Sequence, residues 1–196
     1  MAVDDHGPYA RLMGRSKEIF VLGSAISILQ WDMETKMPPK GRGMRAEQLS
    51  ALELLAHKKI TDPEVARMLE ACEGDIASFD AVQRRNVHLM RRSYDESVRL
   101  PDALVAETAK HQTICNGSWK RAKAAKDFGL FRDDLAKMID LRMQAADILQ
   151  EVKGTKTQYD ALLDLFEPGM TSERIAEVFK GLRNGLIRLI NKVRSS

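Results

Sequence analysis

The sequence lacks most of the features that would assign a function directly. It has two cysteines, Cys72 and Cys115, and they share no CxxC motif, so we expect two reduced, partly buried thiols in separate helices, as in a cytosolic protein. The first residues, MAVDDHGPYARL, contain no apolar core of a signal peptide. No apolar run approaches the ~18 residues of a membrane span. The sequence therefore predicts a cytoplasmic chain with no membrane partner.

An excess of charge of one sign is also missing. The chain carries 31 basic and 28 acidic residues, a net charge of +3, whereas a nucleic-acid-binding domain shows a larger and clustered excess. Two short basic segments stand out, around Arg84–Arg92 and Lys120–Lys126. Acidic residues flank the first, which favours intrahelical ion pairs, and the second lies near a helix C-terminus, where the helix dipole favours cations. We expect no nucleic-acid partner.

The common catalytic motifs are absent as well. There is no HExxH zinc motif, no G-x-S-x-G nucleophile elbow and no phosphate-binding glycine loop. The nearest approach to a metal site is Glu107, His111 and Cys115, which recur on one helix face. At ~1.5 Å rise per residue the outer two are about 12 Å apart along the helix, too far for one ion to bind all three. The residues therefore predict no catalytic side chain and no metal or cofactor site in this chain.

Helical periodicity, in contrast, runs through the whole chain, and no stretch resembles a β-hairpin or a βαβ unit. We predict an all-α array of about seven helices in a single domain, residues 1–196. The first helix is expected from Pro8 to about Thr35. The breaks between helices fall at proline, glycine and capping residues: Pro38-Pro39, Thr61-Asp62-Pro63, Gly74, Ser78 or Asp80, Leu100-Pro101-Asp102, Asp127-Phe128-Gly129, Gly154 and Pro168-Gly169.

The least generic stretch is Leu22–Arg45, LGSAISILQWDMETKMPPKGRGMR. A helical run ends beyond Trp31-Asp32, and Pro38-Pro39 forbids its continuation before a second helix begins. By chemistry alone, Trp31 is more simply a core tryptophan and Asp32 a helix-terminal aspartate. The alternative is a groove in which the indole supplies apolar surface and the carboxylate accepts a hydrogen bond.

The same stretch resembles a known family. Residues 29–39, LQWDMETKMPP, followed by RAEQL at 45–49, closely resemble the N-terminal signature of the carboxypeptidase Taq family of zinc metallocarboxypeptidases. YDALLD at 159–164 and EPGMT at 167–171 are similarly specific. Supporting matches follow the family order between them: Leu55–His57, Leu100–Asp102, Leu104–Glu107, Trp119, Asp127-Phe128 and Phe131.

The resemblance implies the N-terminal portion of a larger all-helical peptidase. Family members remove single residues from peptide C-termini with one zinc ion, and are commonly cytoplasmic homodimers. Their zinc site lies beyond the part that this chain matches, so no catalytic or metal role is carried onto any residue. Trp31, Asp32, Pro38, Pro39 and Arg45 are interpreted as groove or architectural signature residues.

Two functional hypotheses follow from the resemblance. In the first, the chain is inactive alone and acts as scaffold and substrate-groove wall, partnered by a second copy or by a missing catalytic portion, whether it is a fragment, a short gene product or a subunit. In the second, it is a stand-alone helical interaction module that kept the fold without catalysis. The first predicts an exposed apolar surface, mainly from the last helix: Leu186, Leu189, Ile190 and Val193.

Overall fold

A computed structural model describes residues 7–195, and within that range all regular structure is helical. The all-α prediction is confirmed, with eight α-helices where about seven were expected. Two short 3-10 turns, Pro39–Gly41 and Ile76–Ser78, lie between them. The α-helices are α1 Pro8–Thr35, α2 Arg42–Ile60, α3 Pro63–Gly74, α4 Ala81–Val98, α5 Asp102–Ala125, α6 Gly129–Lys153, α7 Gln158–Leu163 and α8 Ser172–Arg194.

Local chemistry sets the helix ends. Proline occupies the first turn of α1 and of α3, where the missing N–H leaves no bond unmade. Asp80 forms a capping box with Gln83 at the start of α4, each side chain bonded to the other's backbone N–H. The Thr171 side chain accepts from the N–H of Arg174 and so caps α8. These polar caps explain why the helix ends fall close to the predicted breaks.

The chain divides into two compact units, Met1–Ala145 and Ala146–Ser196. In the first unit, α2 and α5 pack side by side over most of their lengths. Ser50 Oγ donates to Ala106 O at 2.9 Å, and Lys110 Nζ lies 2.7 Å from Glu47. Since the pairing moves backward along α5 as it moves forward along α2, the two helices are antiparallel. The predicted single domain is not tested by this division and stays a prediction.

The main hydrophobic core of the first unit joins α1, α3 and α4. Leu12 is the contribution of α1 and is completely buried. Burying each such side chain contributes roughly 1.5–3 kcal/mol to folding. The other buried members are Val65, Met68, Leu69, Cys72, Val87 and Met90. Both cysteines are free and buried, as predicted.

In the second unit, polar contacts fix the short loops. The Asp160 carboxylate accepts from the N–H of Ser172 at 2.7 Å, which joins α7 to the start of α8 and lowers the pKa of Asp160. Lys153 Nζ lies 2.5 Å from Asp164, and both side chains are largely buried. Residues of the signature segments YDALLD and EPGMT therefore hold the turn before α8.

The last helix of this unit, α8, buries none of its residues in the described chain. Eight of its large apolar side chains recur every three or four positions on one face, and each of the eight is at least 45% exposed. The four residues predicted to be exposed, Leu186, Leu189, Ile190 and Val193, are among them. The other four are Val178, Phe179, Leu182 and Ile187. A contiguous apolar face of this kind is typical of a protein interaction surface. In the part of the chain that is described, every helix is too short or too polar to cross a membrane.

Candidate functional site

Arg45 holds the signature stretch together. From α2, its guanidinium reaches back to the end of α1 and donates to the Asp32 carboxylate at 2.6 Å and to the carbonyl oxygen of Leu29. Its Nε also donates to Gln48 Oε1 at 3.0 Å. Planar guanidinium groups suit such multiple, directed bonds, and bonds to a charged partner are the stronger ones. We call the set Leu29, Asp32, Arg45 and Gln48 the arginine clamp.

The turn between the clamped helices is stiffened by proline. The N–H groups of Lys36 and Met37 both donate to Asp32 O at 2.9 Å, which closes the last turn of α1. Pro38 then takes an extended conformation with φ −60° and ψ 144°, and Pro39 begins the 3-10 turn. Because proline fixes its own φ, the turn has few alternative conformations. Asp32, Pro38, Pro39 and Arg45 thus lie together at the junction of α1 and α2.

Trp31 does not belong to the core. Its side chain is 60% exposed, so the core-tryptophan interpretation is wrong. Periodicity places Trp31 on a helix but does not decide which helix face meets a neighbour. The groove-lining interpretation stays a prediction, since Trp31 lies outside the cavity described next.

A cavity of about 550 Å³ opens beside the clamp, among α1, α2, α5 and α6. This volume falls in the range of small-molecule sites, ~300–1,000 Å³. Its wall combines apolar side chains with a few polar ones. The apolar members include Met33, Leu49, Leu100, Leu104 and Val105, and the polar members include Gln30, Glu34, Glu53, Gln112, Asn116 and Arg142. Gln30, Met33 and Glu34 belong to the signature stretch, so that stretch forms one wall of the cavity.

Glu53 is the unusual member of this wall. It is half-buried, and in the described chain its carboxylate has no hydrogen bond and no ion pair. Burial alone raises its pKa, because moving the charged form away from water is unfavourable. The sequence analysis missed Glu53. The available signal was a single acid inside the apolar run LSALELLA of α2.

Two other polar groups of the cavity differ in exposure. Arg142 is exposed to solvent and donates to the neutral Gln112 at 3.2 Å. Thr113 is only 1% exposed, and its hydroxyl has no hydrogen-bond partner within residues 7–195. By contrast, Glu34 accepts from Lys120 at 2.6 Å and from Asn116 at 2.7 Å, and these bonds lower its pKa. Glu34 is therefore neutralised by the protein, whereas Glu53 is not.

Of the three candidate metal ligands, Glu107, His111 and Cys115, the first two bond to other groups of the protein. Glu107 pairs with Lys137, and His111 Nε2 donates to Asp134 O at 2.9 Å. Burial raises the pKa of the Cys115 thiol. Among the described side chains no three His, Cys, Asp or Glu are grouped as metal ligands.

The first basic segment forms ion pairs, as predicted. Arg92 pairs with Glu96 at 2.9 Å, four residues along α4. Arg91 contacts Asp95 at 3.6 Å, but its shorter bonds, 2.7 and 2.8 Å, run to Glu73 of α3. One arginine of this segment thus links two helices, which periodicity along a single helix does not predict.

The fold matches solved carboxypeptidase structures. The chain superposes on the crystal structure of BsuCP with a TM-score of 0.88 and 25% identity, over 96% of this chain and 37% of BsuCP. Trypanosoma cruzi metallocarboxypeptidase 1 gives a TM-score of 0.79 and 29% identity, with the same shares covered. The fold is therefore that of one segment of a metallocarboxypeptidase.

The sequence comparisons identify the family. The sequence model of the carboxypeptidase Taq (M32) metallopeptidase family matches residues 11–196, so the chain belongs to that family. It is 30% identical to thermostable carboxypeptidase 1 of Thermus thermophilus, over 96% of this chain and 38% of the relative. For thermostable carboxypeptidase 1 of Pyrococcus furiosus the identity is 29%, over 93% and 36%. The chain thus spans little more than a third of the curated relatives that it matches.

Proposed function

We propose that this chain is the N-terminal helical part of a zinc-dependent carboxypeptidase that removes C-terminal residues from peptides in the cytoplasm. The observation that carries the proposal is the superposition of 96% of the chain on 37% of Trypanosoma cruzi metallocarboxypeptidase 1. Membership of a metallopeptidase family supplies the reaction class. The sequence holds no HExxH motif, which supports a chain that is inactive alone.

In this proposal the chain contributes position and shape rather than chemistry. The arginine clamp and the proline turn fix α1 against α2, and the signature stretch then presents a stable wall to a substrate groove. Zinc and the residues that bind it belong to the catalytic portion of the enzyme. Peptide substrate is bound only when that portion is present.

The apolar face of α8 is the proposed contact surface. It offers eight large apolar side chains on one stripe, and covering them removes apolar area from water, which favours association by roughly 25 cal/mol per Å². Its occupant is the catalytic portion of the enzyme, or a second copy of this chain in a homodimer.

A peptidase assay tests the lack of activity. The pure chain is incubated with zinc or cobalt and a blocked dipeptide that ends in a free carboxylate. We expect no release of the C-terminal residue above a metal-only control. Release that a chelator abolishes would show that the chain is active by itself. The coding sequence after the codon of Ser196 gives an independent check, since an HExxH motif there identifies the catalytic portion.

The second candidate function is a stand-alone helical interaction module, and the exposed face of α8 is also the observation that favours it. Sedimentation velocity separates the two. A surface that a missing portion normally covers should drive self-association, and Leu189→Asp should reduce it, whereas Lys180→Asp on the polar face should not. A monodisperse wild-type monomer would count against the first proposal and favour the module.

A further inference from the structure

Positive charge accumulates along the second part of α8. From Lys180 to Arg194 the helix carries five cations and no anion, whereas the net charge of the whole chain is only +3. These cations are Lys180, Arg183, Arg188, Lys192 and Arg194, and all five are exposed. The helix dipole favours the two cations of the last turn, but its effect does not extend to Arg183 and Arg188. Neither Lys180 nor Arg183 has an ion pair in the described chain. At least two of the five charges therefore lack a counter-charge within the described residues.

These cations border the apolar face of α8 on both sides. At about 3.6 residues per turn, Arg183 and Arg194 fall along one edge of the face and Lys192 along the other. A second copy of this helix laid on the first would bring two sets of five cations together, and like charges that face each other are unfavourable. A partner with acidic residues along both edges of its own apolar face would instead present an opposite charge on each side. The charge pattern thus favours an acidic partner over a second copy.

Two glycines in the interior of α8 indicate that this partner is a helix. Gly181 and Gly185 lie four residues apart, and Gly185 is on the same side of the helix as Leu182 and Leu189 of the apolar face. A Cβ atom at either glycine would meet nothing within 4 Å, so contacts within the described chain do not require glycine there. Glycine is unfavourable inside a helix, but it lets the backbone of another helix approach closely. A lipid surface, which also attracts basic amphipathic helices, gains nothing from such a notch.

From the charge, the apolar face and the glycines, we propose that α8 binds an amphipathic helix that has acidic residues along both edges and packs closely against Gly181 and Gly185. This inference rests on the proposed function and narrows it, since the occupant of the face is then an acid-flanked helix of the catalytic portion and not a second copy of this chain. Guanidinium groups suit the acidic edges, because they bind carboxylates through two parallel bonds. The apolar contact supplies most of the affinity, and the charges select the partner.

The selectivity should be moderate and should depend on salt. Each exposed ion pair contributes little by itself, so several pairs act together. We therefore expect an acid-flanked helix to bind at least about tenfold more tightly than a neutral helix with the same apolar face. Because dissolved ions screen exposed charges, this advantage should largely disappear at high ionic strength, where the screening length falls to a few Å.

Fluorescence anisotropy with the full chain and three labelled peptides tests the proposal. All three peptides have the α8 sequence Ser172–Arg194, and their five cations are unchanged, all replaced by Gln or all replaced by Glu, so the apolar face and the glycines are identical. At about 20 mM NaCl the Glu peptide should bind at least about tenfold more tightly than the Gln peptide, and the unchanged peptide least tightly. Equal binding of the Glu and Gln peptides would overturn this inference alone. If no peptide binds, the proposed contact surface on α8 is overturned with it.

Variants of the chain locate the contact. Gly185→Leu fills the notch and should weaken binding of the Glu peptide at least about fivefold, whereas Asn184→Leu adds the same side chain on the opposite face and should not. Unchanged binding by Gly185→Leu, with native helix content by circular dichroism, would overturn the close packing of a helix. Vesicles of equal parts phosphatidylglycerol and phosphatidylcholine test the lipid alternative. Binding to these vesicles without binding to the Glu peptide would make α8 a lipid-binding helix and overturn the proposal.

Discussion

Replacing Arg45 by methionine should destabilise the α1–α2 junction. Methionine keeps an apolar stem of similar length but removes three bonds: to Asp32 at 2.6 Å, to Gln48 at 3.0 Å and to the carbonyl of Leu29. The Arg45 side chain is only 12% exposed, and Asp32 is 33% exposed. The variant therefore leaves a partly buried carboxylate without its counter-charge.

The size of the effect follows from this geometry. Removing one partner of a fully buried ion pair costs about 3–5 kcal/mol. Asp32 is a third exposed, so water recovers part of the lost interaction, and Leu29 O lies within α1, where the helix offers it a backbone donor. We therefore expect the free energy of unfolding to fall by about 2–3 kcal/mol.

Urea unfolding followed by circular dichroism measures this loss. Arg45→Lys keeps the charge but not the planar fork, so it should recover less than half of the loss. Arg183→Met, on the exposed surface of α8, should change stability by less than about 0.5 kcal/mol. If Arg45→Met were as stable as Arg183→Met, the reasoning that the clamp stabilises the junction would be refuted.

Three further substitutions test the cavity and the second unit by the same unfolding measurement. Glu53→Gln should stabilise the protein by up to about 1 kcal/mol at neutral pH. Because burial raises the pKa of Glu53 in the folded state above 4.5, this gain should disappear as the pH falls below 4.5, where the carboxyl group is protonated in both states. A gain in stability that does not change with pH would contradict the prediction. Thr113→Val removes a buried hydroxyl that has no partner in the described chain and should stabilise by about 1 kcal/mol, whereas Thr113→Ser should not. Lys153→Met breaks its 2.5 Å pair with Asp164, whose side chain is 15% exposed, and should cost about 3 kcal/mol; a loss below 1 kcal/mol would show that the pair is not important.

Helix positions could be predicted from the sequence because local chemistry sets them. Asp80, Thr171 and the prolines of α1 and α3 act on backbone groups within one turn of themselves, and the observed helices begin at these residues. The length of α7 was less predictable. It ends at Leu163 although the apolar pattern continues to Phe166, and Phe166 is exposed.

Contacts between helices could not be predicted in the same way. The Arg45 and Asp32 side chains meet because α1 and α2 pack at a particular angle and register, which periodicity does not contain. The exposure of Trp31 has the same origin. An apolar residue at helical spacing is buried only if a neighbouring helix covers that face, and no helix of the described chain covers this one sufficiently. Glu53 was missed because a single acid in an apolar run does not reveal a cavity.

The two buried cysteine thiols of the first unit can report on local opening, the transient separation of a helix from its neighbours. Cys72 lies in α3 and Cys115 in α5, both are free, and burial raises the pKa of each. A thiol in that state reacts with an alkylating reagent only after its helix has moved away from its neighbours and exposed the sulfur to water. The alkylation rate of each cysteine therefore reports how often its own helix separates, and a comparison of the two rates would show whether α3 and α5 open together or independently.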